Sequence, residues 1–294
     1  MQILVTGSKG QLGRSIKKLS KNYKNLSFVF ADIDSFDITD EISINSFFEE
    51  KEIDIIINCA AYTNVEYAES EPELCCKVNH HGTKNLVSIC TKKRIKLIHI
   101  STDYVFNGKS KNPYFESDKT DPISVYGNSK DLAEKEILKS SISAIILRTS
   151  WLYDTNGKNF VNTIIKASKH NKSLKVVSDQ FGTPTYCTDL GNICIRMCLD
   201  FKKWLNKTEI YHYSNEGFCS WYEFANEIVK ICNINLKIFP VKTESLNQKA
   251  ARPLYSVLNK TKIKSNYKLE INDWKLSLKK YLNTINYGTD LLKS

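Results

Sequence analysis

Short runs of branched aliphatic residues alternate with segments of helical spacing through the first half of the chain. Residues 3–6, 26–31, 53–58, 96–101 and 144–149 read as strands, and residues 11–19, 43–50, 79–91 and 126–138 as helices. Strands apolar at nearly every position belong in a sheet buried on both faces, and strand–helix alternation makes that sheet parallel. The pattern predicts an α/β fold with a doubly wound parallel sheet. After residue 150 the rhythm loosens. Residues 161–168 and 221–232 read as helices and 174–177 as a strand, while 243–255 is polar and carries an Arg-Pro pair. No Gly/Ser linker and no repeat divides the chain. The expected organisation is a dinucleotide-type domain over 1–150, with some later segments returning to it, and a smaller lobe occupying most of 151–294. The tail NYGTDLLKS reads as frayed.

Composition narrows the class. Across 294 residues, hydrophobic content is 41% and charged content 25%, ordinary values for a soluble globular protein. No apolar run approaches the ~18 residues that span a membrane, and MQILVTG has no basic segment before its strand, so neither a membrane anchor nor a secretory leader is expected. The nine cysteines are odd in number, form no C-x-x-C, and include several in apolar surroundings such as Cys59 and Cys90. That usage fits reduced, buried thiols in the cytoplasm. The net charge is +10, yet only Arg14, Arg94, Arg148, Arg196 and Arg252 are arginine. Base readout and bidentate phosphate contacts favour arginine, so nucleic acid is not the expected partner. The positive field suits an anionic small molecule.

The candidate chemistry starts at GSKGQLG, where Gly7, Gly10 and Gly13 follow the first strand and open a helix. This arrangement sets backbone N–H groups and a helix N-terminus against a diphosphate, the mark of a Rossmann-type dinucleotide site. Asp32 ends the second strand, where a carboxylate can accept from ribose hydroxyls and repel a 2′-phosphate; Lys9 in the glycine loop would instead attract one. NADH and NADPH both remain open. Asp37 and Ile38 follow as adenine-side candidates. Ala60 and Ala61, after the third strand, are small enough for a cofactor to cross them. The fourth strand ends in STDYVF, and strand carboxyl ends collect ligands in open α/β sheets. Thr102, Asp103 and Tyr104 therefore face the reacting centre. On the next helix Tyr126, Lys130, Ala133 and Ile137 share a stripe within roughly 60°. An inward lysine there can hold a nicotinamide ribose and lower the Tyr126 pKa toward neutrality, making the phenol a proton donor to a ketone.

GSKGQLG, NCAAYTNVEYAESEPE, VNHHGTKNL, STDYVF, VYGNSKDLAE, RTSWLY, the NF at 159–160, DQFGTPT and the late ARP together resemble the extended short-chain dehydrogenase/reductases, and within them the family of dTDP-4-dehydrorhamnose reductases. The resemblance spans almost the whole chain. It implies NADPH- or NADH-dependent reduction of the 4-keto group of a dTDP-linked 4-keto-6-deoxysugar. It implies Thr102, Tyr126 and Lys130 as catalytic residues. Gly10, Gln11, Leu12, Asp37, Ile38, Ala60, Ala61 and Tyr62 match its cofactor positions, and Asp103, Tyr104 and Trp151 its sugar-nucleotide contacts. Trp151 offers a flat apolar wall and Arg252 a clamp for the diphosphate, with core packing and a surface ion pair as the plainer alternatives. Some family members dimerise through magnesium held by acidic residues. The matching positions here are Ser15, Thr188 and Asn192, which lack carboxylates, so no structural magnesium and a monomer or weak dimer are expected. His80 and His81 read as polar helix-start residues, with a metal site the lesser alternative.

Two other enzymes compete. A sugar-nucleotide dehydratase of the same superfamily needs Glu after Asp103, where this chain has Tyr104. A reductase of another nucleotide-linked 4-keto-6-deoxysugar is poorly excluded, because base selectivity lies in loops that the sequence does not place. A non-catalytic regulatory subunit, of the kind that serves methionine adenosyltransferase, is disfavoured by the intact Thr102, Tyr126 and Lys130.

Overall fold

The computed structural model describes residues 1–155, 157–201, 204 and 207–285. The frayed-tail expectation concerns 286–294 and lies outside the described residues. Strands are β1 (Gln2–Thr6), β2 (Ser27–Phe30), β3 (Ile55–Asn58), β4 (Lys96–Thr102), β5 (Ala144–Thr149), β6 (Leu152–Tyr153), β7 (Ser173–Val177), β8 (Phe181–Gly182), β9 (Thr185–Tyr186), β10 (Thr208–His212), β11 (Cys219–Ser220) and β12 (Lys237–Val241). Helices are α1 (Gln11–Ser20), α2 (Glu41–Glu50), α3 (Val65–Ala68), α4 (Pro72–Cys76), α5 (Gly82–Lys93), α6 (Val125–Lys139), α7 (Phe160–Ser168), α8 (Cys187–Leu199), α9 (Trp221–Ile231), α10 (Thr261–Tyr267) and α11 (Trp274–Thr284).

The central sheet runs β10-β5-β4-β3-β1-β2, and its pairings are all parallel. Successive residues of each strand feed opposite faces. Ile3, Val5, Ile55 and Ile57 join α1 and α8 in one core, with Ile16, Leu190 and Cys194 among its members. Leu4, Ile56, Leu97 and Ile146 join α2, α5 and α6 in the other, with Ile44, Leu86 and Ile137. A third core belongs to the later residues, where Ile164, Phe224, Ile228, Leu278 and Tyr281 bring α7, α9 and α11 together. The strand order reverses at β1, whose neighbours are β2 and β3. The crevice between the carboxyl ends of β1 and β3 is therefore the switch point where such sheets bind ligands.

Local departures from the periodicity have physical causes. Helical pattern begins at Asn79 in the sequence, but α5 starts at Gly82, because residues Lys77–His81 form one π turn. Its Asn79 Nδ2 donates to Ser129 Oγ at 2.9 Å, and Tyr62 N donates to Asn79 Oδ1 at 2.8 Å. These bonds to two other segments fix the wider turn. The pattern gave no strand at Thr208–His212, where polar and aromatic positions hide an edge strand that pairs β5 from Ala144 to Arg148.

Candidate active site

The cradle is built by the β1–α1 turn. Gly7 has φ +59°, and a Cβ there would stand 2.6 Å from Ala60 N, so the loop lies directly against the turn after β3. The α1 N-cap is Gly10, which offers no capping side chain, and no acidic residue sits in the first turn. The N–H groups of this helix end are left for an anion. Asp32, at the end of β2, accepts from Lys9 N at 2.7 Å and from Ile33 N at 3.0 Å. It thus holds the glycine loop through its backbone, while the Lys9 ammonium pairs with Asp34. These features fit a pyridine dinucleotide.

The reactive groups come from β4 and α6. Ser124 Oγ accepts from Gly127 N at 3.1 Å and starts α6, placing Tyr126 in its first turn. A Cβ at Gly127 would collide with Tyr104 O at 2.3 Å, so glycine lets this helix end approach the segment after β4. Thr102 Oγ1 donates to Asp103 Oδ1 at 3.1 Å and accepts from Tyr104 N at 3.2 Å, and Tyr104 stacks edge-on to Tyr126 with centroids 5.8 Å apart. Lys130 is 2% exposed. Its Nζ donates to Ile100 O at 2.7 Å and lies 3.0 Å from His99 Nε2. The lysine does face inward, but the expected drop of the Tyr126 pKa is corrected. Burial is the largest influence on the phenol and raises it above its ordinary value of 10, with Thr102 opposing. Burial also lowers Lys130 to about 8, partly offset by Glu134. Asp103 is raised to about 7 by burial, against the hydrogen bond that Ser256 Oγ donates at 2.5 Å.

The cleft has a volume of about 470 Å³. Of the residues expected from sequence, Gly7, Gly10, Gln11, Leu12, Gly13, Ala61, Thr102, Asp103, Tyr104, Tyr126, Lys130, Trp151 and Arg252 line it. Asp32, Asp37, Ala60 and Tyr62 lie outside that lining. Ile38 is 4% exposed and packs in the sheet core, where its side chain fills the space beside Gly82. Trp151 takes a left-handed φ of +46°, strain that packing must hold. Its ring stacks on Trp221 at 3.5 Å and 9°. Trp221 is fixed by a capping box at the start of α9, in which Ser220 and Glu223 satisfy each other's backbone. Arg252 Nη1 donates to Tyr104 Oη at 3.4 Å, and its Nη2 lies 3.7 Å from Glu66. Its Nε is buried without a hydrogen-bond partner.

Sequence reasoning missed Trp221, Lys158 and Thr149 in the lining. Thr149 was findable, because it ends β5 beside Thr102 and strand carboxyl ends gather ligands; its Oγ1 is buried without a partner. No local pattern marks Trp221, at the start of α9, or Lys158, in the loop before α7. Ser15 and Thr188 do meet, at 3.2 Å between hydroxyls, and Ser15 Oγ donates to Asp154 at 2.6 Å, a carboxylate the sequence reading did not include. Among the described residues no helix is long and apolar enough to cross a membrane.

Residues 1–287 match the family model described as RmlD substrate binding domain. The spore coat polysaccharide biosynthesis protein SpsK of Bacillus subtilis is 37% identical over 289 residues, covering 98% of this chain and 99% of that protein. The crystal structure of a dTDP-4-dehydrorhamnose reductase from Clostridium acetobutylicum superposes with a TM-score of 0.92 at 39% identity, covering 97% of this chain and 100% of that one. A dTDP-4-dehydrorhamnose reductase from Bacillus anthracis, solved in complex with NADP, gives a TM-score of 0.89 at 35% identity, covering 96% of this chain and 99% of that one.

Proposed function

Because the chain belongs to the RmlD family, that of the dTDP-4-dehydrorhamnose reductases, we propose that it reduces the 4-keto group of dTDP-4-dehydro-β-L-rhamnose to give dTDP-L-rhamnose, using NAD(P)H. When bound, the reduced pyridine nucleotide supplies the hydride. The observation that carries the reading is that Thr102, Tyr126 and Lys130 line one cleft together with the glycine cradle.

In this reading Tyr126 gives its phenolic proton to the ketone oxygen, and Thr102 donates a hydrogen bond to the same oxygen. A phenol raised by burial holds its proton at neutral pH, the state a donor needs. Lys130 holds the nicotinamide ribose. The glycine loop and the α1 N-terminus take the cofactor diphosphate. Trp151, stiffened by Trp221, walls the deoxysugar. Arg252, with an unpartnered Nε, and Lys158 meet the diphosphate of the sugar nucleotide. Asp103 and Tyr104 complete the sugar side. The absence of a carboxylate at position 104 disfavours elimination of water. We read the enzyme as cytoplasmic, where thiols stay reduced, and as a monomer or weak dimer.

The test is NAD(P)H oxidation on dTDP-4-dehydro-β-L-rhamnose generated by the preceding epimerase, with NADH and NADPH run side by side. Turnover with that sugar supports the assignment. Turnover only with another nucleotide-linked 4-keto-6-deoxysugar moves it to the rival reductase, and none with either supports a regulatory subunit.

A further inference from the structure

We propose that Cys76, His80 and His81 form a binding site for a borderline divalent cation such as Zn²⁺, at the π turn and outside the cleft lining. Among the described residues these three offer one thiol and two imidazole ligand atoms, all within 4.8 Å of one another. In an α-helix residues five apart point about 140° apart. The π turn changes that. Gly82 N donates to Lys77 O, five residues back instead of four, so this turn is wider than an α-helical one. His81 is thereby brought round to the face of Cys76, where His80 already lies.

The distances fit a metal. Zinc binds sulfur at about 2.3 Å and nitrogen at about 2.0–2.1 Å, and tetrahedral angles then separate the two ligands by about 3.6 Å. Cys76 Sγ and His80 Nδ1 stand 3.8 Å apart. A second observation points the same way. His80 Nε2 is buried with no hydrogen-bond partner and stands 3.4 Å from Glu136 Oε1. Ligation through Nδ1 puts the ring proton on Nε2, facing that carboxylate. A carboxylate behind a ligating imidazole is the usual way such a ring is oriented and made more basic. Sulfur and nitrogen donors select Zn²⁺ or Co²⁺ over Mg²⁺ and Ca²⁺. Cys76 and His80 are half-buried and His81 is exposed, so the site has an entry path and an open fourth position. Glu136 belongs to α6, and the bound cation therefore ties the π turn to the helix that carries Tyr126 and Lys130.

The experiment is titration of the purified full-length protein with CoCl₂, read by absorption. The expected result is a thiolate-to-cobalt charge-transfer band that saturates at one equivalent and is displaced by ZnCl₂. Cys76→Ser should abolish the band while leaving NAD(P)H binding intact. His81→Ala, an exposed change that leaves the core untouched, should weaken cobalt at least tenfold. Glu136→Gln should keep the band and weaken affinity by about 10–100-fold. Absence of the band in the parent protein, or its survival in Cys76→Ser, overturns the proposal.

Discussion

Lys130 Nζ stands 3.0 Å from His99 Nε2, and both side chains are buried. Asn58 Oδ1 accepts from Thr6 Oγ1 at 2.7 Å and from Ala60 N at 3.2 Å, leaving its amide nitrogen to donate to His99 Nδ1 at 3.1 Å. Burial and the Lys130 charge keep the imidazole neutral. With Nδ1 accepting, its proton sits on Nε2 and faces the lysine, favouring the unprotonated amine. The other groups bearing on Lys130 are Glu134 on its own helix, Cys75 from α4 and Cys59 after β3, all of which favour the ammonium, and burial outweighs them. Turnover should therefore fall as pH rises through about 8. His99→Gln presents a carbonyl oxygen to the ammonium and should move that limb upward. A pH profile of kcat/KM checks it; an unmoved or lowered limb rejects this account of Lys130.

Tyr126→Phe removes the proposed proton donor and leaves the ring that packs against Tyr104. Turnover should fall by about 10²–10⁴, with the NAD(P)H dissociation constant changed less than about threefold. Single-turnover kinetics and cofactor fluorescence separate the two. Near-normal turnover would remove Tyr126 from the chemistry.

Asp103 keeps its proton up to about pH 7, whereas an unfolded carboxyl loses it near 3.8. Between those values the folded state binds more protons, so this group's contribution to stability is full below pH 3.8 and fades as pH rises to 7. Three units correspond to an upper bound of about 4 kcal/mol. Asp103→Asn should match the parent's Tm at pH 4 and exceed it at pH 8. Equal differences at both pH values would show that the carboxyl is not held neutral.

The 3.5 Å stack of Trp151 on Trp221 holds a strained backbone in place. Trp221→Ala should loosen that wall and raise KM for the sugar nucleotide about tenfold, or about 1.4 kcal/mol. KM for the cofactor and kcat should change little. Steady-state kinetics with each substrate varied in turn reads the split.

Glu134 on α6 and Arg148 on β5 form a buried ion pair, with Arg148 Nη2 donating to Glu134 Oε2 at 2.6 Å and Ser101 Oγ donating to Oε1 at 2.5 Å. Removing one partner leaves an uncompensated buried charge, at a cost of about 3–5 kcal/mol. Glu134→Leu should lower urea stability by that amount, whereas Glu134→Leu combined with Arg148→Met should recover much of it.

β1, β3 and β5 were legible because each carries an apolar run needing two covered faces, as in the unbroken aliphatic stretch Ile55–Ile57. Tyr126 and Lys130 were legible because a lysine on an apolar stripe needs a reason. Ile38 was read as a cofactor contact from its motif position, which does not reveal that its side chain packs in the sheet core. Trp221 stayed hidden because its role depends on a stack formed 70 positions from Trp151 in the sequence. The effect of Lys130 on Tyr126 was misjudged because spacing shows which side chains share a face, and not how strongly the fold desolvates them.

β10 pairs β5 along its full length, so the sheet begun at Gln2 is completed only by residues 208–212. A nascent chain emerging from the ribosome cannot finish this layer until both lie outside the exit tunnel, and the unpaired β5 edge with Ile145 and Leu147 must wait for it. Cutting the gene near codon 150 therefore yields a sticky fragment rather than a portable nucleotide-binding module, and any grafting of this lobe onto another scaffold has to carry the late strand along.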